Sequence, residues 1–106
     1  MAHDVTTVRS GVAPTLSLVR VHRDAIMSIA ARRGISNIRV FGSVARGDSQ
    51  PGSDIDMLVD FDPRHPGLDL FGFEREVEEL LGHPVEVGTE INRLIREKVR
   101  SQAVVL

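Results

Sequence analysis

Residues 40–59 read Val40-Phe41-Gly42-Ser43-Val44-Ala45-Arg46-Gly47-Asp48-Ser49-Gln50-Pro51-Gly52-Ser53-Asp54-Ile55-Asp56-Met57-Leu58-Val59. The opening residues finish the β-branched run Ile38-Arg39-Val40-Phe41, which predicts a first strand over 37–41 that stops at Gly42. Ser43 can cap a single helical turn, and Gly47 can end it in the left-handed conformation. Pro51 and Gly52 mark a turn over 49–53. From Asp54 to Phe61 the pattern alternates: Ile55, Met57, Val59 and Phe61 share one face, and Asp54, Asp56, Leu58 and Asp60 the other. That period of two is the signature of a second strand. Phe41 and Phe61 are expected in the core.

Outward from this stretch, Leu16, Val19, Ile26, Ile29 and Ala30 recur near helical spacing and predict one helix from Pro14 to Arg33, ended by Gly34. Arg20, Arg23, Arg32 and Arg33 are then expected in solvent. Downstream, Leu70, Phe73, Val77, Leu80 and Leu81 form a helical stripe that Gly82 ends, with Glu74, Glu76, Glu78 and Glu79 on a solvated face. Pro84 to Val87 reads as a third strand, and Thr89 as the cap of a helix over Glu90 to Arg100. The apolar tail Ala103 to Leu106 can pack or add to a sheet edge. Strands alternating with helices in so short a chain predict an α/β (α+β) fold, a small mixed sheet of three to four strands with helices mainly on one face. Met1 to Ala13 is expected to be a flexible lead-in, with 14–106 forming one domain.

Composition bounds the chemistry. A chain of 106 residues suits one small domain, and the absence of Trp and Tyr leaves the core aliphatic. With no cysteine, disulfides, thiolate metal sites and cysteine nucleophiles are excluded, and a cytoplasmic location is expected. No apolar run is long enough to cross a membrane. Residues 1–47 carry seven Arg against two acids, whereas 48–106 carry six bases against thirteen acids. Acid concentrated downstream argues against direct nucleic-acid binding and is compatible with a cation site or a solvated face.

Asp54 and Asp56 leave one face of their strand with Cα atoms roughly 7 Å apart. Two carboxylates in a partly buried setting repel, and each is driven toward protonation unless a cation neutralises them. Oxygen ligands select Mg²⁺ or Mn²⁺ over Zn²⁺. The pair alone reads also as an exposed edge strand. Gly42 and Ser43 add a second element, because a glycine ending a strand lets backbone approach a ligand, and a serine opening a turn presents N–H groups and a hydroxyl to an anion. Taken singly, Gly-Ser is also an ordinary turn.

Phe41-Gly42-Ser43, ten intervening residues, and Asp54-Ile55-Asp56-Met57 together resemble the signature of the polymerase-β-like nucleotidyltransferase superfamily. The longer stretches Val40 to Asp48 and Ser53 to Val59 resemble its minimal nucleotidyltransferase branch, over roughly residues 35–106. The resemblance implies the polymerase-β-like fold, a phosphate-holding Gly42 and Ser43, metal-binding Asp54 and Asp56, and a third carboxylate on a neighbouring strand. By position that third group is Glu86, a metal ligand or general base, where the family usually has Asp. Arg46 is assigned to phosphate charge, and also reads as a solvated helix-end cation. Asp48 reads as a turn or cap residue, Asp60 as peripheral, and His3, His22, His65 and His83 as surface or packing residues.

The implied reaction needs two Mg²⁺ ions, with Mn²⁺ as a substitute, and ATP as donor: an acceptor hydroxyl attacks the α-phosphorus and pyrophosphate leaves. Minimal nucleotidyltransferases of this type are often encoded beside a HEPN-domain toxin and transfer AMP to one of its tyrosines, so the resemblance implies an antitoxin with that protein partner. Two alternatives stand beside it. One is a catalytically weak, nucleotide-binding antitoxin that acts by covering its partner, and the other is transfer to RNA or a small molecule.

Overall fold

A computed structural model describes residues 11–89 and 103–106. Thr15 opens the first helix, α1 (Leu16–Val21), its hydroxyl accepting the Leu18 amide at 3.1 Å. This satisfies one of the donors that a helix start leaves without an intrahelical partner. The continuous helix expected over 14–33 is corrected here: His22 (φ −98°, ψ 13°) divides α1 from α2 (Arg23–Arg32). Its ring Nδ1 lies 2.9 Å from the Leu18 carbonyl oxygen, the acceptor a continuous helix would offer the His22 amide. That amide donates instead to the Val19 oxygen at 3.1 Å. A side chain competing for a backbone acceptor tightens the turn and breaks the helical run.

Strand β1 (Ile35–Phe41) begins two residues earlier than its apolar run suggests and leads into the short helix α3 (Gly42–Arg46). Next come β2 (Ile55–Phe61), α4 (Leu70–Leu81), β3 (Val85–Thr89) and β4 (Val104–Val105). The sheet order is β3-β2-β1-β4. β1 is antiparallel to both β2 and β4, while β2 and β3 are parallel. Parallel neighbours need a crossover between them, and α4 supplies it. The tail at 104–105 therefore adds a strand to the sheet edge. The helix expected over 90–100 and the segment 1–10 lie outside the described residues.

Val40 pairs with Met57 and Ile55 with Val85, so one face of the sheet is aliphatic across three strands. Val19, Ile26, Ile29 and Ala30 from α1 and α2, with Phe73, Val77 and Leu81 from α4, close over that face. Phe61 departs from the expected core position and is 42% exposed. It is the last residue of β2, and Phe41 is only partly covered. On the opposite face Leu58 is buried, so this face is not uniformly solvated.

The polar residues of that opposite face are organised by an irregularity in β1. The β1–β2 register shifts between Ser36 and Arg39, and Asn37 within it has φ 50°. Asparagine tolerates this left-handed conformation better than most residues. Asn37 Nδ2 and Arg39 Nη2 each donate to the Asp60 carboxylate at 2.9 Å, and the Arg39 side chain is only 13% exposed. Asp60 is thus engaged away from Asp54 and Asp56.

Two expectations about charged helix faces are also corrected. Arg33 is not a solvated cation: its guanidinium reaches Asp69 at 2.7 Å and Glu76 at 2.5 Å, with the side chain 25% exposed. Gly72 makes the passage possible, since a Cβ there would strike both Arg33 Nη1 and Asp69 Oδ2. Asp69 also caps α4 by accepting the Gly72 amide at 2.9 Å. Glu74 and Glu78 are not simply solvated either. They accept the Val87 and Val85 amides, each at 3.0 Å, along the outer side of β3. An edge strand leaves such donors unpaired, and a nearby carboxylate is a strong acceptor for them.

Candidate active site

The site is built where β1 ends, β2 begins and β3 runs alongside. Phe41 is the register partner of Asp56, and Asp56 in turn the partner of Glu86. Residues directly opposite one another in a sheet project from the same face. The three strand positions therefore line up across β1, β2 and β3. Asp54 precedes β2 and is exposed, Asp56 is half-buried, and Glu86 is exposed.

Gly42 has φ 73°, and a Cβ on it would lie 2.6 Å from Asp56 Oδ2. Both observations demand glycine: a side chain would be strained in the left-handed region and would occupy the place of a carboxylate oxygen. The turn that follows closes through the Ser43 carbonyl, which accepts the Gly47 and Asp48 amides at 2.9 and 3.0 Å. Gly47 ends it at φ 83°. Backbone geometry thereby sets Gly42, the residue before Ser43, against Asp56. Arg46, at the end of α3, pairs with Asp48 at 3.3 Å, which gives Asp48 a turn-and-pair role.

Burial is the main cause that raises the Asp56 pKa above the usual aspartate range, with the charges of Glu86 and then Asp54 acting in the same direction and Arg46 opposing them. The field at Asp56 therefore links four of the residues singled out in the sequence. Among the described residues, however, no three Asp, Glu or His side chains gather into a ready metal cage. The chemistry of the donor set still fits a hard divalent cation. Asp54 and Asp56 offer oxygen ligands, the charge on Asp56 is disfavoured as it stands, and an incomplete protein shell leaves ligand positions for phosphate oxygens.

His22 and His65 are engaged within their own loops, His65 Nδ1 with the Gly67 amide at 2.9 Å, and His83 is buried. None belongs to the acidic site. Among the described residues no helix is long and apolar enough to cross a membrane.

Known proteins resemble the chain over most of its length. The chain is 37% identical over 81 residues to MJ0435 of Methanocaldococcus jannaschii, named as a candidate protein adenylyltransferase, covering 74% of this chain and 87% of that one. It is 35% identical over 71 residues to the protein adenylyltransferase MntA of Thermococcus cleftensis, covering 67% and 69% of the two chains. A solved structure described as a candidate minimal nucleotidyltransferase superposes with a TM-score of 0.76 at 38% identity, covering 88% of this chain and 97% of that one. A toxin–antitoxin crystal structure with AMP-PNP shares the fold at a TM-score of 0.59 and 19% identity, covering 77% of this chain and 69% of that one. The nucleotidyltransferase domain model matches residues 23–105, a span that holds Gly42, Ser43, Asp54, Asp56 and Glu86. With a four-stranded mixed sheet of the minimal nucleotidyltransferase type and this match over most of its length, the chain belongs to the nucleotidyltransferase domain family and is a nucleotidyltransferase.

Proposed function

We propose that the chain transfers AMP from ATP to a hydroxyl of a protein partner, and that the partner is a HEPN-domain toxin for which it is the antitoxin. The observation that carries the reading is the approach of the Asp56 carboxylate to Gly42, a strand-end glycine whose missing side chain leaves room for that oxygen. The names of the relatives, both protein adenylyltransferases, favour a protein acceptor, and the toxin–antitoxin structure with AMP-PNP favours the partner and the adenine nucleotide.

In this reading the backbone at Gly42 and the Ser43 hydroxyl hold phosphate oxygens of the triphosphate, and Arg46 adds positive charge at the end of the same turn. Asp54 and Asp56 would hold Mg²⁺, with Glu86 beside them; the bound cation would supply charge neutralisation at the reacting phosphate. Glu86 accepts the proton of the acceptor hydroxyl as its oxygen bonds the α-phosphorus and pyrophosphate departs. The chain's own contribution is alignment: two strand ends and a turn set donor and acceptor in line.

The test is incubation with ATP, Mg²⁺ and a purified HEPN-domain protein, followed by mass spectrometry. A mass increase of one AMP on the partner that disappears with Asp56→Asn is the expected result. Glu86, standing where the family usually has Asp, favours a second reading, in which the chain binds nucleotide weakly and neutralises its partner by covering it. Neutralisation that survives in Asp54→Asn and Asp56→Asn without any mass change would select that reading.

A further inference from the structure

Glu86 sits on β3, the outermost strand on one side of the sheet. An edge strand is held by a neighbour on one side only, which makes it a poor mount for a group that must be placed within a fraction of an ångström. Here the other side is held as well. Val85 and Val87, the residues flanking Glu86, donate their amides to Glu78 Oε2 and Glu74 Oε1 of α4, each at 3.0 Å.

The spacing explains why this works. Residues four apart on a helix stand one above the other, about 6 Å along the axis, and residues two apart on a strand are separated by nearly the same distance. A Glu74/Glu78 pair on α4 therefore matches the two outward amides of Val85 and Val87 in step. Both glutamates are half-buried, so these charge-assisted bonds compete with little water. On its inner side β3 is fixed to β2, where the Ile55 amide donates to the Pro84 oxygen at 2.8 Å and Asp56 is the register partner of Glu86.

We propose that Glu74 and Glu78 are positioning residues of the transfer site: by clamping the amides on both sides of Glu86, they set the rotation of β3 that turns Glu86 toward Asp56. This rests on the assignment of Glu86 to the acceptor side of the reaction. The pair acts through Glu86 and touches neither donor nor acceptor, so its loss acts on kcat and leaves nucleotide binding at Gly42 and Ser43 intact.

The experiment is a mutant cycle on the full chain with ATP, Mg²⁺ and a HEPN-domain protein as acceptor. It is accompanied by amide hydrogen exchange at Val85, Glu86 and Val87. In Glu74→Leu/Glu78→Leu, exchange at Val85 and Val87 speeds up, kcat falls about 100-fold, and KM for ATP stays within about twofold. Glu74→Gln/Glu78→Gln keeps an acceptor oxygen at each position and restores most of the rate. In a Glu86→Gln background the leucine pair costs nothing further. A leucine pair that costs as much in that background as in the native one overturns the proposal, as does an unchanged kcat despite faster exchange. An unchanged kcat in Glu86→Gln alone, or a native chain that transfers nothing, overturns the underlying assignment and this proposal with it. Should the double leucine variant fail to fold, the single Glu74→Leu and Glu78→Leu variants carry the same cycle.

Discussion

Two acidic regions of this molecule are made of the same side chains and behave in opposite ways. On α4 and at its cap, Glu76 and Asp69 face Arg33, and Glu74 and Glu78 face backbone amides of β3. The hydrogen bond from Arg33, then its charge, hold the Glu76 carboxyl below the usual glutamate range. At the strand ends, burial and the neighbouring Glu86 and Asp54 push Asp56 the other way. Carboxylates matched with donors stabilise a fold, while carboxylates crowded together store an unmet demand for positive charge. The crowded group lies at the nucleotidyltransferase motif, and the matched group holds the scaffold around it.

The strongest way to break this contrast is Asp56→Asn. With Asp56 in the proposed cation-holding role, loss of transfer by at least about 100-fold is expected. The same variant should be more stable than the native chain at neutral pH. Because the native pKa of Asp56 lies above its ordinary value of 3.8, the folded state binds this proton more tightly than the unfolded chain does. Stability is therefore lost as pH rises from the ordinary value through the raised one. Thermal melts should show the Asn variant ahead above that window and level with the native protein below it. A less stable Asn variant at pH 7 would contradict the crowding argument.

Gly42→Ala comes next. Left-handed strain costs about 1–2 kcal/mol, and the new methyl must displace Asp56 Oδ2, so transfer should fall roughly 100-fold with a lowered melting temperature. A variant with native kcat would show that the approach of Asp56 to this turn is incidental. Arg46→Ala should have a narrower effect, raising KM for ATP roughly tenfold while shifting stability by under about 0.5 kcal/mol. Asp48→Asn, which removes only the partner of Arg46, should leave KM unchanged.

Arg33→Met sharpens the other half of the comparison and should have the smallest effect on chemistry. Transfer stays native while the melting temperature drops by roughly 5 °C, since two carboxylates lose their shared cation. Glu76 titrates below its ordinary value of 4.5, so its contribution is present above that value and lost as pH falls through the lowered one. The gap between native and variant melts should close with acidification. A gap independent of pH would mean that Arg33 acts by packing of its stem instead.

Much of the fold was legible because its signals are local. Ile55, Met57 and Val59 alternate with Asp54 and Asp56, Gly82 ends the α4 stripe, and Gly42 interrupts a β-branched run at the point where β1 stops. The misreadings have a common cause. His22 bends the helix because its ring takes a carbonyl one turn back, and nothing in a hydrophobic period reports that competition. Phe61 fits the alternation of β2 yet, as its last residue, is exposed. Arg33, Glu74 and Glu78 fit a solvated pattern on their own helices, and their partners lie 36 to 43, 13 and 7 residues away in the chain.

The linear order of residues was sufficient to determine the strand-turn-strand unit at 37–61 and the acidic doublet beyond its turn, because periodicity, glycine conformation and motif spacing are short-range properties. Tertiary structure alone decided that the Asp56 oxygen fills the place of a Gly42 side chain, that Glu86 is its register partner, and that α4 lends two carboxylates to the free side of β3. Those outcomes depend on which strands pair and in what register. Side chains far apart in sequence acquire their electrostatic surroundings only when that pairing forms.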